Sequence, residues 1–162
     1  MIASAPAPTL ADHLRAECEE YRALDSLLEQ ERVALVEVEA ERVASITAEK
    51  SGLYGRLQLL ARRRDACLSV EGIAAAPGAI DKWAERHPEQ AAGTLEQWRQ
   101  LIDLVRKTRR QSMHNGRIAN ALVQHFRSRL NLLGGSEHEA ATIYGRDGST
   151  SSMRFPASIA RA

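Results

Sequence analysis

The side chains that most often carry chemistry lie along this sequence without the spacing that a catalytic or metal site requires. The 162-residue chain contains 5 histidines and 21 acidic residues. No histidine follows a glutamate by three positions, the spacing used by di-iron sites in helical bundles, and there is no His-Glu-x-x-His pair for zinc. Glycine-rich phosphate loops and Gly-x-Ser-x-Gly nucleophile turns are also missing. The sequence therefore predicts a protein that is not an enzyme, with no catalytic residue, metal or cofactor.

Two basic clusters, Arg62–Arg64 and Arg106–Arg110, have the charge to neutralise nucleic-acid phosphates. No aromatic side chain for base stacking stands beside either cluster. Met1–Lys50 holds 11 acidic and 5 basic residues, whereas Ser51–Gly135 holds 14 basic and 7 acidic residues. Because opposite charges favour the pairing of two helices, we expect the clusters to pair with the acidic half or to be solvated. A helical protein that binds nucleic acid is the less favoured alternative.

Any binding surface on this chain must be positioned by helices. Aromatic residues make up only 4% of the chain, and its apolar residues recur with the helical period. Thr9 is suited to cap a first helix that runs from Leu10 to about Val70, and Asp12 suits the first turn of that helix. Three charged residues interrupt the apolar face of this helix near its middle: Glu31, Arg42 and Lys50.

Glycine and proline mark the places where helices bend or end. Gly52 and Gly55 lie inside the first predicted helix, and the sequence leaves open whether they break it. Pro77 cannot continue a helix, so it separates the first helix from a short one over about residues 79–87. We expect Trp83 in that short helix to cap the end of a hairpin.

The last predicted helix begins at Thr94, as its N-cap, and ends near Leu133. Gly134-Gly135 is a typical C-terminal stop. Asn115-Gly116 keeps the helical period on both sides, so it is predicted to be helical in spite of its turn propensity. A helical glycine costs about 1 kcal/mol relative to alanine. We therefore expect another backbone to approach closely at residue 116.

Together these elements predict an all-α fold, an elongated antiparallel helical hairpin or bundle with two long helices and a short connecting helix. The helical hairpin domain is expected to cover residues 1–135. A flexible C-terminal tail, rich in Ser, Thr, Ala and Gly, is expected over residues 136–162.

The two cysteines and the hydropathy of the chain bear on its location. Cys18 and Cys67 both fall in the first predicted helix, where a straight rod would place them roughly 70 Å apart at ~1.5 Å per residue. They would then be unable to form a bond within the chain, which indicates a reducing compartment, the cytoplasm. No run of about 18 apolar residues is present, so the sequence predicts no insertion into a membrane.

An apolar cluster near the end of the last helix is wider than one helix seam needs. Its members are Leu122, Val123, Phe126, Leu130 and Leu133, with Leu132 beside them. The cluster is typical either of hairpin core or of a surface that binds a partner helix. Ile143 and Tyr144, in the tail, are further candidates for partner binding, and Tyr144 is equally consistent with a packed anchor.

The sequence resembles the FlgN family of bacterial flagellar export chaperones. The resemblance extends over about residues 24–149 and is most specific where a helical Asn-Gly pair is followed by Tyr-Gly-x-Asp-Gly. The residues that carry it are Leu27–Leu35, Ala48-Glu49-Lys50, Leu57, Leu60, Arg64, Asn115-Gly116, Ile118, Leu130, Leu133 and Tyr144–Gly148. Extra tail residues after Gly148 depart from the family pattern.

The resemblance implies a cytoplasmic chaperone of the flagellar type III secretion system. Its clients would be hook-associated proteins 1 and 3, held by their C-terminal helices, and it would deliver them to the membrane export gate. Tyr144 matches the aromatic residue with which the family docks on that gate. The alternative is a structural coiled-coil protein that forms a homodimer through the same apolar stripe.

Overall fold

The computed structural model describes residues 8–138 and shows four α-helices there. They are α1 (Leu10–Val36), α2 (Ala40–Val70), α3 (Ala79–Arg86) and α4 (Pro88–His138). No β-strand is present among these described residues. The predicted all-α class is therefore confirmed.

The prediction of one helix from Leu10 to Val70, and hence of only two long helices, is wrong. The chain leaves the helical conformation at residues 37–39 and then continues as α2. Gly52 and Gly55, the residues considered for a break, both lie inside α2. The helix therefore breaks at residues 37–39, ahead of both glycines, and the glycines do not interrupt α2.

The reversal between α1 and α2 is a Schellman motif built without glycine. The Val38 N–H donates to the Leu35 carbonyl oxygen at 3.2 Å, and the Glu39 N–H donates to the Ala34 carbonyl oxygen at 2.9 Å. Val38 takes a φ of +58°, in the left-handed region where glycine is the usual residue. Because a β-branched residue occupies this position, the usual sequence mark of the turn is absent.

The start of α1 is capped as the sequence predicts. The Thr9 side chain accepts a hydrogen bond from the Asp12 N–H at 3.2 Å, and the Asp12 carboxylate accepts one from the Thr9 N–H at 3.0 Å. This reciprocal capping box satisfies two backbone donors at the helix end. The hydrogen bond from Thr9 also lowers the pKa of the Asp12 carboxyl.

Helices α1 and α2 pack against each other in antiparallel directions. Three ion pairs join them: Glu31–Lys50, Glu20–Arg56 and Glu17–Arg64. Residue numbers fall along α1 as they rise along α2, which is the signature of antiparallel packing. Two of these pairs join an acid of the first half to an arginine of the second, so the expected pairing of opposite charges is confirmed.

The connection between α2 and α3 does carry the expected glycines. Gly72 ends α2 with a φ of +70° in a second Schellman motif, in which the Ile73 N–H donates to the Leu68 carbonyl oxygen at 3.0 Å. Gly78 precedes α3 with a φ of +81°. Trp83 of α3 is buried in the main core, which confirms its predicted capping position.

Glu71, at the end of α2, makes polar contacts with α3 and with His87, the residue after α3. One carboxylate oxygen accepts a hydrogen bond from the Trp83 indole N–H at 3.0 Å, and the other lies 2.7 Å from the His87 ring nitrogen. The backbone oxygen of Glu71 accepts a hydrogen bond from Arg86 at 2.6 Å. The contacts with His87 and Trp83 lower the pKa of the Glu71 carboxyl.

Helix α4 begins at Pro88, six residues before the predicted N-cap Thr94, which lies buried inside the helix. Proline is favoured in a first helical turn, because its missing N–H would have no helical partner there. Three contacts place α4 parallel to α1: Cys18 with Gln97, Asp25 with Lys107, and Leu28 with Asn115. In all three, the residue numbers rise together along the two helices.

The cysteines lie near one another in the fold, against the expected separation of roughly 70 Å at ~1.5 Å per residue. Cys18 belongs to the main buried core, and Cys67 packs against the same core. The return of α2 along α1 brings them there. Both are free thiols, and burial raises the pKa of each.

The chain divides into two compact units, Met1–Ala119 and Asn120–Ala162, and the boundary lies within α4. The predicted stop at Gly134-Gly135 is wrong, since α4 continues to His138. The division into a domain over residues 1–135 and a tail over residues 136–162 stays a prediction. Across residues 8–138, no helix has the length and apolar character needed to span a membrane.

Candidate partner-binding site

The second unit carries a row of apolar residues that the sequence singled out, most of them exposed. We call Leu122, Val123, Phe126, Leu130 and Leu133 the apolar patch. Val123 and Phe126 are each 46% exposed, and Leu130 is 67% exposed. At ~100° per residue, the five side chains fall within an arc of roughly 100° on α4. An apolar stripe of this width is what a helix presents to a packing partner.

Basic residues border the apolar patch. Arg127 and Arg129 are exposed on the same stretch of helix, and the sequence from residue 104 to residue 136 contains no acidic residue. The ring of His125 meets the Phe126 ring edge-on, with centroids 5.9 Å apart. The surface is therefore an apolar stripe flanked by positive charge, suited to a helix with apolar and acidic side chains.

The part of α4 that belongs to the first unit has one buried face. Residues at seven-residue spacing are buried there, and most of them are polar: Thr94, Leu101, Thr108 and Asn115. The next position in that spacing is Leu122, which is half-buried. The sequence left open whether the five patch residues belong to the hairpin core. None of them is part of the buried core.

The two tail candidates, Ile143 and Tyr144, lie outside the described residues. Their place relative to the apolar patch stays a prediction.

A buried polar cluster, which the sequence presented only as interruptions of an apolar face, joins three helices of the first unit. Glu31 of α1 pairs with Lys50 of α2, and its second carboxylate oxygen accepts a hydrogen bond from Asn115 of α4 at 2.9 Å. The Asn115 side chain also donates to the Leu28 carbonyl oxygen at 2.7 Å. The cluster thus links the three helices through buried polar contacts. The turn at Val38 brings Glu31 and Lys50 together. Because they lie 19 residues apart in the sequence, the sequence alone does not indicate that they pair.

The family model described as "FlgN protein" matches residues 6–152 of the chain. The chain belongs to the FlgN family. The resemblance noted in the sequence is therefore confirmed, and with it the general role of a flagellar export chaperone. FlgN proteins form a family of chaperones and not of enzymes. The chain has no significant match among the curated proteins or among the solved structures.

The first unit of this FlgN-family protein also holds a charged group at the wall of a cavity. Glu17 and Arg64 line a cavity of about 320 Å³ between α1, α2 and α4, and Arg64 stands 5.5 Å from the centre of the Trp98 ring. Burial raises the pKa of Glu17 to about 7, although the ion pair with Arg64 opposes the shift. One carboxylate oxygen of Glu17 is buried without a hydrogen-bond partner.

Metal-binding side chains do not cluster in the described part of this FlgN-family chain. Across residues 8–138, no group of three or more His, Cys, Asp or Glu side chains is placed to hold a metal ion.

Proposed function

We propose that this FlgN-family chaperone binds the C-terminal helices of hook-associated proteins 1 and 3 on the apolar patch of α4. The observation that carries the proposal is the exposure of Phe126 and Leu130 on one face of a helix. An export client must keep its own apolar helices covered before assembly. A client helix laid along the patch would cover both apolar surfaces at once.

The patch has enough apolar surface for useful affinity. Complete burial of a Leu, Val or Phe side chain is worth about 1.5–3 kcal/mol. Since Phe126 is 46% and Leu130 is 67% exposed, each has only part of that free energy left to gain. Several such residues acting together, with part of the gain spent on ordering, support binding that is specific and reversible. No nucleotide hydrolysis is needed for release if the client is transferred by competition.

The route after binding is also part of the proposal. The chaperone acts in the cytoplasm and delivers its client to the flagellar export gate, with Tyr144 as the docking aromatic. This step rests on the family resemblance of the tail sequence Tyr144–Gly148. Replacement of Tyr144 by alanine is expected to reduce export of the client while leaving client binding intact. Secretion of hook-associated protein 1 into the medium would measure the first effect, and co-purification the second.

The client site is tested by two substitutions in the apolar patch. Phe126→Asp and Leu130→Asp each place a charge where a client helix would pack, so each is expected to weaken client binding at least tenfold. Leu59→Asp is the matched control, because Leu59 on α2 is 48% exposed and lies outside the patch. Binding to hook-associated protein 1 can be measured by titration calorimetry. Helix content, followed by circular dichroism, should stay unchanged in all three variants.

The same protein variants distinguish a chaperone from a homodimeric coiled coil. Size-exclusion chromatography with light scattering should show a defined complex with the client. If the free protein is instead a dimer that Phe126→Asp dissociates, and client affinity is unchanged, then the patch binds a second copy and the proposed client site is wrong.

A further inference from the structure

A stripe of exposed arginines runs along α4 within the first unit. We call Arg99, Arg106, Arg110 and Arg117 the basic stripe. At ~100° per residue the four residues fall in an arc of roughly 40°, and at ~1.5 Å per residue they span about 27 Å. They lie on the opposite side of the helix from the buried residues Leu101 and Thr108 by the same count. The stripe therefore faces away from the seam that holds the bundle together.

The fold leaves the positive charge of this stripe largely uncompensated. Arg99 and Arg106 approach Glu96 and Asp103 only at 3.7 Å, and all four side chains in these pairs are at least 59% exposed. Exposed pairs of this kind contribute little to stability. Among the described residues, Arg110 and Arg117 have no acidic partner within 4.0 Å.

Other basic residues of the first unit make the ion pairs expected of a structural role. Arg64 and Lys50 are 17% and 14% exposed and bind the buried acids Glu17 and Glu31. Lys107, next to the stripe, reaches Asp25 of α1 at 2.7 Å. The stripe arginines make no comparable contact with another helix among residues 8–138, so their charge is not needed to hold the helices together.

The chemistry of the stripe favours protein over nucleic acid as its ligand. The planar guanidinium of each stripe arginine binds a carboxylate, or equally a phosphate, through two hydrogen bonds. Met113 lies beside the stripe, between Arg110 and Arg117, and is 54% exposed. Arginine and methionine are enriched at the core of protein interfaces, whereas lysine is depleted. No aromatic side chain in the stripe offers a platform for stacking bases.

We propose that the basic stripe is a docking surface for an acidic helical segment of a partner protein, separate from the apolar patch. The arginines are spaced by seven, four and seven residues, so a helix with glutamates at the same spacing can match them in either direction. A leucine between the two glutamates that face Arg110 and Arg117 would meet Met113. The partner is thus defined by a row of carboxylates on one helix face, with an apolar residue between the two that meet Arg110 and Arg117.

A synthetic helical peptide tests the proposal on the full-length chain. The peptide carries four glutamates at the seven-four-seven spacing and a leucine within one seven-residue gap, and a second peptide has glutamines in place of the glutamates. We expect the glutamate peptide to bind at least tenfold more tightly in 50 mM NaCl by fluorescence anisotropy. The double variant R110Q/R117Q should lose at least tenfold of that affinity. The double variant R62Q/R63Q, which removes two exposed arginines of α2, should lose less than threefold.

Three results would overturn the proposal. The first is equal affinity for the glutamate and glutamine peptides. The second is an equal loss in the α4 and α2 variants, which would mean that net charge alone attracts the peptide. The third is tighter binding, dependent on the stripe, of a 20-nucleotide poly(U) RNA or of phosphatidylglycerol vesicles. Circular dichroism of both variants should match the unmodified protein, since every replaced side chain is exposed.

Discussion

Asn115 on α4 donates a hydrogen bond of 2.7 Å to the backbone carbonyl oxygen of Leu28 on α1. The same side-chain nitrogen donates to the Glu31 carboxylate, which also holds Lys50 of α2. One amide group therefore connects the helix that ends in the apolar patch to the two helices that form the hairpin. A buried polar contact of this kind allows one register of three helices and disfavours the others.

Replacement of Asn115 by alanine is expected to lower the free energy of unfolding by about 2–3 kcal/mol. The variant loses two hydrogen bonds, one of them to a charged group, and leaves Glu31 less well satisfied in a buried position. Urea denaturation followed by circular dichroism measures the change. Asn120→Ala is the control, because Asn120 is exposed on the same helix. A loss below about 0.5 kcal/mol for Asn115→Ala would mean that the cluster does not hold the helices.

Replacement of Val38 by glycine is expected to stabilise the protein by about 1 kcal/mol. A β-branched residue in the left-handed region is strained by roughly 1–2 kcal/mol, and glycine removes that strain at the cost of some chain entropy. Val36→Gly serves as the comparison, because Val36 is a similarly exposed residue that lies in the last turn of α1. It should destabilise the protein by a few tenths of a kcal/mol, on the helix-propensity scale. Equal effects of the two substitutions in urea denaturation would contradict a strained Val38.

The two Schellman motifs show how much of the fold the sequence could predict. At Gly72 the left-handed residue is glycine, and the sequence places the end of α2 within a residue or two of Val70. At Val38 the same hydrogen-bond pattern forms, although valine rarely adopts the left-handed conformation. The local sequence therefore gives no sign of the turn. What stabilises that turn is the long-range pairing of α1 with α2. A helical period cannot reveal such pairing.

The candidate site was likewise only partly predictable from the sequence. The sequence identified Phe126 and Leu130 as surplus apolar surface, because periodicity and composition within one helix are local properties. The role of Glu31 and Lys50 was not accessible, because each appears only as a charge that interrupts an apolar face. Their pairing depends on where the chain reverses. The sequence could name the surface left exposed but not the cluster that joins α1, α2 and α4 within the first unit.

Replacement of Gly116 by alanine is expected to stabilise the protein by about 1 kcal/mol. The sequence led us to expect a close backbone neighbour, but a Cβ built on Gly116 meets no atom within 4 Å. Alanine would then gain its full helix propensity without a clash. Gly72→Ala is the opposite case, since its φ of +70° is strained for any L side chain, and it should destabilise by about 1 kcal/mol. A destabilised Gly116→Ala variant in urea denaturation would reveal a close contact that the structure does not show.

The buried carboxyl of Glu17 makes the stability of the first unit depend on pH. Its ordinary pKa is 4.5, and burial raises the pKa to about 7 in the folded protein. Between these two values the folded chain binds more protons at this group than the unfolded chain does. Stability contributed by the protonated form is therefore present at low pH and is lost as pH rises from about 4.5 to about 7.

Glu17→Gln should remove this dependence, because glutamine stays neutral at every pH. We expect the variant and the unmodified protein to have similar stability near pH 5, with the variant more stable at pH 8 by up to about 3 kcal/mol. Urea denaturation at pH 5, 6, 7 and 8 gives the two profiles, and their difference isolates Glu17 from other titrating groups. Glu19→Gln, at an exposed neighbouring position, should follow the unmodified protein. Parallel profiles for Glu17→Gln and the unmodified protein would mean that Glu17 is ionised with its ordinary pKa, held by Arg64 and solvent.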